Sequence, residues 1–460
     1  MTTRLLVIGG DAAGMTAAST AKRLAMDALE VVVLERGSYT SYSACGIPYW
    51  IAGDVDARDD LVARTPAAHR ENGIDVRMRT EAASIDLAAR TVEARDEHGH
   101  VETLTYDNLV VATGAEPLRP PLPGIEAEGI HGVQTLEDGE QVLAELERSP
   151  EHVVVVGSGY VGLEMAEACV RRGAAVTVLE RSPSPMPLLD PDLGERVAAA
   201  MRGLGIEVVA GAEVTGFRTG PDGRVTGVET TDATYDAELV VLGLGVGART
   251  DLAVAAGLPT GAKGGLLVDD RQQVEGHEAV WAAGDCVVTL DRLTGQPIHL
   301  PLGTHANKQG LVAGRAIAAA VMGADAGLAF PGVLRTAITK VCDLEIAVTG
   351  LREDDARAAG YDPVVASIDS TTTAGYFPGA VDMTVRVVAD RVTRRLLGAQ
   401  VVGGQGAGWR IDTLAMALWT EMTVDDLAMT DLAYAPPFSS VWDPVQVAAR
   451  AAMRQLGTRV

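Results

Sequence analysis

Nowhere in its 460 residues does the sequence hold an apolar run long enough to cross a bilayer as a helix. Basic residues are also scarce. Lys and Arg number 38 against 62 Asp and Glu, leaving a formal net charge of −24. That deficit argues against a nucleic-acid partner, which needs basic patches to meet phosphates, and against attachment to anionic lipid. Any anionic ligand must be met locally, by helix N-termini or single arginines. Cysteine is sparse as well. Cys45, Cys169, Cys286 and Cys342 stand far apart, without CxxC or metal-ligand spacing, and Cys169 and Cys342 lie in apolar helix and strand patterns that read as core. Neither a disulfide framework nor a metal site is expected. The opening MTTRLLVIGG already reads as a strand running into a glycine turn and lacks a signal peptide's layout. A cytoplasmic location is expected. Apolar residues are plentiful at 47%, enough core for about three domains.

Residues 4–35 read as strand, turn, helix and strand: a β-run over 4–8, a turn over 9–14, a helix over 15–24 and a second run over 30–34. This is the βαβ dinucleotide unit, closed by Glu35, whose carboxylate can accept from a ribose hydroxyl. Its turn is Gly9, Gly10, Asp11, Ala12, Ala13, Gly14, and Asp11 takes the place of the middle glycine. Residues 152–181 repeat the plan with a complete motif, Gly157, Gly159 and Gly162, closed by Glu180. VLER ends both units, so Arg36 and Arg181 follow the two acids. Two such units predict two bound dinucleotides.

NLVVATG, carrying Thr113 and Gly114, and VWAAGD, carrying Gly284 and Asp285, read as strands ending in small-residue turns. A carboxylate at a strand's C-terminal edge suits a ribityl hydroxyl; its plainer reading is a turn aspartate. A proline-rich joint over 116–124 and a glycine-rich one over 243–247, including Gly245, read as the crossings between two nucleotide domains. A long helix pattern follows Gly303, and from about Phe330 the runs 337–349, 383–388 and 396–402 read as β. They open a third, α+β domain.

Just past the first unit lies SYSACGIPYW, with one thiol, Cys45. A helix starting near Gly46 would offer it unpaired N–H groups and stabilise a thiolate. Alone, the residue reads first as a small buried side chain, and only its setting in the rest of the chain reverses that.

The order of these features resembles the flavoprotein pyridine nucleotide–disulfide oxidoreductases across essentially the whole chain. Their two-cysteine members space the thiols CxxxxC. Counted back from Cys45 that spacing lands on Thr40, and neither Thr40 nor Ser41 is cysteine. What remains is similar to the single-cysteine branch of coenzyme A-disulfide reductases, NADH oxidases and NADH peroxidases. The stretch DLAYAPPFSS resembles that branch too. Ala12 stands where the peroxidases and many oxidases carry histidine.

The resemblance implies an α/β fold of two Rossmann-like domains, glutathione-reductase-like, plus a C-terminal α+β dimerisation domain. FAD falls to residues 1–115 and 246–328, NAD(P)H to 116–245 and dimerisation to 329–460. Tyr160 and Glu164 match the residues that gate and position the nicotinamide. Glu180 favours NADH over NADPH, a preference Arg181 would soften. Tyr376 and Tyr434 match two tyrosines given to the partner's active site in a homodimer; interface packing is their plainer reading. Thr16, Thr20, Arg23, Ser41 and His305 match coenzyme A contacts. Solvated charge for Arg23 and backbone pairing for His305 stay open. Ala44 replaces a frequent asparagine, and Trp442 lies where a basic residue often helps hold the coenzyme. The expected activity is NAD(P)H-driven reduction of a small disulfide, coenzyme A disulfide foremost, through Cys45. Reduction of oxygen to water through a Cys45 sulfenic acid is the alternative. An NADH-responsive flavoprotein acting by partner binding is a third.

Overall fold

A computed structural model describes residues 2–457. Residue 1 and residues 458–460, at the outer limits of the terminal segments expected above, lie outside it.

The first unit opens with strand β1 (Thr3–Ile8), helix α1 (Ala12–Ala25) and strand β2 (Leu29–Leu34). Helix α2 (Ile47–Ala52), helix α3 (Pro66–Glu71), β3 (Ile74–Arg77) and β4 (Asn108–Val111) follow. The parallel sheet runs β3, β2, β1, β4, and strand Val280–Ala282 joins beyond β4. The central strands β1, β2 and β4 end in buried Val, Leu and Ile runs because both faces are covered there, whereas the edge strand β3 alternates. Helix α1 begins at Ala12, three residues earlier than its apolar pattern, because Asp11 takes the extended cap conformation.

The second unit repeats this. Strands β5 (Ile130–Gly132), β6 (His152–Val156), β7 (Ala175–Glu180), β8 (Glu207–Ala210) and β9 (Leu239–Leu242) lie in the order β8, β7, β6, β9, β5. Helix α4 (Tyr160–Arg171) connects β6 to β7. The two crossings pair with each other, Ala115–Pro117 running antiparallel to Val246–Ala248.

Helix α5 (Gly303–Met322) packs on α1 through glycines. A Cβ at Gly310 or Gly314 would overlap the carbonyl oxygen of Ala13 or Ala17. The C-terminal unit is an antiparallel sheet of β10 (Ala337–Val341), β11 (Leu344–Gly350), β12 (Pro363–Thr371), β13 (Asp382–Asp390) and β14 (Leu396–Gly403), in the order β10, β11, β14, β13, β12. Helices α6 (Arg410–Trp419) and α7 (Pro444–Leu456) complete it. The single β-run expected over 337–349 is a hairpin. Cys342, expected in a strand core, sits half-buried at its turn with φ of 54°. Among the described residues no helix is long and apolar enough to cross a membrane.

Candidate active site

The two glycine turns have the same local design. Gly9 and Gly157 take φ of 106° and 96°, and a Cβ at either would overlap a neighbouring strand's carbonyl, Ala112 or Gly243. Only glycine suits such a position. Around Gly159 no atom lies within 4 Å of where a Cβ would be, so the second turn has an open cradle at the start of α4. There the free N–H groups favour a pyrophosphate.

The closing acids match as well. Glu35 accepts from Gly10 N–H at 2.7 Å and Gly37 N–H at 2.6 Å. Glu180 accepts from Ser158 N–H at 2.9 Å, Ser158 Oγ at 2.5 Å and Ser182 N–H at 2.6 Å. Burial pushes the Glu180 carboxyl up, but these hydrogen bonds prevail and hold it below its ordinary value. Arg36 and Arg181 are exposed and, among the described residues, without an ion pair.

Asp11 needs no glycine-like backbone: its φ of −118° is extended. Its Oδ1 accepts from Tyr42 N–H at 3.1 Å. Burial, with Glu35 and Asp285 nearby, raises its carboxyl to about 6. Asp285 is also raised by burial, and among the described residues no protein group donates to its carboxylate. Gly284 N–H donates to the buried Gln309 at 2.8 Å, and Thr113 Oγ1 donates to the Arg249 carbonyl at 2.5 Å. Gly114 and Gly245 both take positive φ at the crossings.

These features fit a flavin dinucleotide on the first unit and a nicotinamide dinucleotide on the second. Asp285 is a half-buried acceptor, and the Tyr160 hydroxyl is buried; among the described residues neither has a protein partner. Both suit a polar ligand that satisfies them.

The Cys45 loop is fastened to the flavin-side turn. Thr40 Oγ1 and Ser41 N–H both donate to the Gly10 carbonyl, and Ser43 N–H donates to the Leu61 carbonyl at 2.8 Å. Cys45 itself sits in a 3-10 turn, Ala44–Gly46, and is exposed. Helix α2 starts at Ile47 with Gly46 as its N-cap, where the sequence placed a helix start, but it is only six residues long and its N-terminus does not prevail at the thiol. Burial of the sulfur's surroundings, then the carboxylates of Glu164 and Asp285, push the Cys45 thiol up instead. Its own backbone N–H opposes them only in part.

Glu164 comes from α4. Burial raises its carboxyl, and Oε1 accepts from Thr339 Oγ1 at 2.6 Å and Tyr49 Oη at 3.4 Å. Tyr376 and Tyr434 lie together on the C-terminal unit, exposed, and the hydrogen bond with Tyr376 raises the Tyr434 phenol.

The remaining candidates scatter. Thr20 is buried against α5, and Thr16 donates to Asn307 Oδ1 at 2.9 Å. Arg23 is exposed at the last turn of α1. His305 Nδ1 faces the Leu300 carbonyl at 3.4 Å. Ser41 Oγ lies 2.9 Å from Nε2 of the buried His69, a pairing the sequence did not reveal. The Arg450 guanidinium stacks on Trp442 at 4.4 Å from the ring centre, so a cation does stand at that position. Only a contact between α7 and the preceding loop supplies it, which no local spacing marks.

Comparison with known proteins agrees with this geometry. Residues 3–310 match the family described as pyridine nucleotide-disulphide oxidoreductase, and residues 336–445 match its dimerisation domain. An NADH oxidase of Methanocaldococcus jannaschii is 34% identical, with 99% of this chain and 100% of that protein covered. An NAD(P)H coenzyme A polysulfide/persulfide reductase of Pyrococcus horikoshii is 36% identical, with 98% of each covered. The solved NAD-dependent persulfide reductase from A. fulgidus is 37% identical at a TM-score of 0.94, with 98% of this chain and 83% of that one covered. The chain is therefore an NAD(P)H-dependent flavin oxidoreductase and belongs to the pyridine nucleotide-disulphide oxidoreductase family.

Proposed function

We propose that this enzyme reduces a small disulfide, coenzyme A disulfide foremost, with Cys45 as its only redox-active protein sulfur. One observation carries the reading. The Cys45 loop is hydrogen-bonded to the flavin-side glycine turn, while Glu164 of the nicotinamide-side helix acts on its thiol. FAD, when bound, carries two electrons from the nicotinamide to the sulfur. Asp11, Glu35, Asp285 and the start of α1 would hold it; Glu180 and the start of α4 would hold NAD(P)H, with Tyr160 as the gating residue for the nicotinamide.

The Cys45 thiolate attacks one sulfur of R–S–S–R. The Cys45–S–S–R bond forms, the substrate's S–S bond breaks and RS⁻ leaves. Tyr434 of the partner subunit, oriented by Tyr376, gives that thiolate its proton. Two electrons from NAD(P)H and a proton then restore the Cys45 thiolate and release the second RSH. The exposed aromatic surface around Tyr376, Trp409, Tyr434 and Phe438 supports a homodimer, since a monomer rarely exposes so much apolar area in one region. Thr16, Arg23, Ser41, His305 and the Trp442–Arg450 pair are the coenzyme-side contacts of this reading; Thr20, buried against α5, drops out of it.

Anaerobic titration with NADH, followed by coenzyme A disulfide, tests it. Reoxidation of the flavin with release of coenzyme A thiol is the expected result. The relationship to an NADH oxidase supports a second reading, reduction of oxygen through a Cys45 sulfenic acid. Rapid oxygen consumption with no response to the disulfide would select that reading.

A further inference from the structure

Tyr376 and Tyr434 stand on two separate surface loops, residues 372–380 and 430–440. Their side chains are 78% and 46% exposed, so neither is held by burial. Unsupported loops of this kind sample many conformations. Besides the hydrogen bond between the two phenols, two features join them. Ala374 N–H donates to the Pro436 carbonyl at 3.0 Å. The other is Arg410, whose side chain is only 10% exposed. Its Nη2 donates to the Thr372 carbonyl at 2.8 Å and to the Phe438 carbonyl at 3.1 Å, and Nη1 donates to Gly406 at 2.8 Å. One guanidinium thus grips both tyrosine loops and a third segment.

Arg410 is badly placed for any other purpose. It is the first residue of α6, where the helix dipole disfavours a cation. Its nearest carboxylate, Asp443 Oδ2, lies 3.4 Å from Nε. The oxygens of Asp443 are already engaged, Oδ1 by Val445 N–H and Oδ2 by Ser439 Oγ. The cation is therefore committed mainly to backbone carbonyls, a task for a rigid fork and not for a lysine ammonium.

We infer that Arg410 is the positioning residue for the tyrosine pair, setting the geometry in which Tyr434 meets the leaving thiolate. This rests on the proposed reading that the tyrosines serve the partner's Cys45 site. A displacement of about 1 Å in such a group costs on the order of 100-fold in rate.

The test uses the FAD-loaded enzyme with Arg410→Lys and Arg410→Met, each alone and combined with Tyr376→Phe and Tyr434→Phe. Three quantities are read: coenzyme A disulfide turnover, flavin reduction by NADH in a rapid-mixing instrument, and the ultraviolet titration of tyrosine. In the single variants disulfide turnover should fall by ~10- to 100-fold. Flavin reduction should be unchanged, and the Tyr434 titration should move down as its bond to Tyr376 loosens. In the double-phenylalanine background the Arg410 variants should lose nothing further. Wild-type turnover and titration in Arg410→Lys would overturn the inference, as would an equal further loss in that background. If Tyr376→Phe and Tyr434→Phe leave turnover intact, the reading of the tyrosines as proton donors fails, and the titration alone judges the clamp. Should Arg410→Lys and Arg410→Met not fold, Arg410→Gln serves. It keeps one amide donor but cannot span the Thr372 and Phe438 carbonyls together, and unchanged turnover and titration there overturn the inference.

Discussion

Thr339 donates its hydroxyl to Glu164 Oε1 at 2.6 Å, across the boundary between the C-terminal sheet and the nicotinamide-side helix. Tyr49, four residues beyond Cys45, reaches the same oxygen at 3.4 Å. One half-buried carboxylate thereby ties together three parts of the molecule that have no sequence proximity. Its charge also bears on the Cys45 sulfur.

After burial, Glu164 is the largest influence holding the Cys45 thiol up. A raised thiol pKa means less thiolate at neutral pH, and the thiolate is the reactive form. Glu164→Gln removes the charge and keeps a side-chain oxygen to accept from Thr339. In flavin-free protein, iodoacetamide should therefore alkylate Cys45 faster in Glu164→Gln than in wild type at pH 7. The thiolate absorbance should develop at lower pH. Equal alkylation rates would show that Glu164 does not act on this sulfur.

Cys45→Ser separates binding from chemistry. The loop is fastened through Thr40, Ser41, Tyr42 and Ser43, not through the sulfur. The variant should stay yellow and be reduced by NADH. Its turnover of coenzyme A disulfide should fall by ~10³-fold or more, because no second protein thiol stands in. Retained disulfide turnover in this variant would remove Cys45 from the mechanism.

Glu180 should set the nicotinamide preference. Three donors fix its carboxylate, and hydrogen bonds hold it ionised. An ionised acceptor suits a free 2′-hydroxyl and repels a 2′-phosphate. Glu180→Ala should raise KM for NADH by ~10-fold, the effect of losing one hydrogen bond to a charged group. KM for NADPH should fall, helped by the exposed Arg181. Steady-state kinetics with both cofactors would check this, and an unchanged ratio of the two would argue against it.

What could be read in advance was whatever depends on local spacing. The glycines of both turns, the closing acids Glu35 and Glu180, and the helix beginning at Gly303 all follow from neighbours within one βαβ unit or one helix. The start of α1 was misplaced because an aspartate cap carries no apolar pattern. Cys342 was misassigned because two short strands and their turn look like one long run. Thr339, Arg410, His69 and Arg450 escaped notice for another reason. Thr339 meets Glu164 across 175 residues and Arg410 meets Thr372 across 38, and backbone carbonyls as acceptors leave no trace in sequence. Burial at Cys45 and the carboxylate of Glu164 are tertiary effects of the same kind, and they outweigh the helix start that the sequence did locate.

Asp11 offers a test of whether the flavin-side turn is tuned by charge. Its carboxyl is raised from 3.8 to about 6, first by burial, with Glu35 and Asp285 adding to it. The folded chain therefore binds this proton more tightly than the unfolded chain. Between about pH 4 and pH 6 the native state alone retains it, so this residue's contribution to stability falls as pH rises through that window. Above about pH 6 the penalty is complete, on the order of 3 kcal/mol. Asp11→Asn keeps an oxygen to accept from Tyr42 N–H and removes the charge. Other carboxylates also titrate here, so the informative quantity is the difference between variant and wild type. In flavin-free protein the urea midpoint of Asp11→Asn should exceed that of wild type at pH 7, and the two should converge near pH 4. Flavin affinity should follow the same pattern, since a dinucleotide pyrophosphate entering this turn meets one negative charge fewer in the variant. Curves that stay parallel across the range would mean that Asp11 is ionised throughout, and that the turn binds its anionic ligand despite the acid.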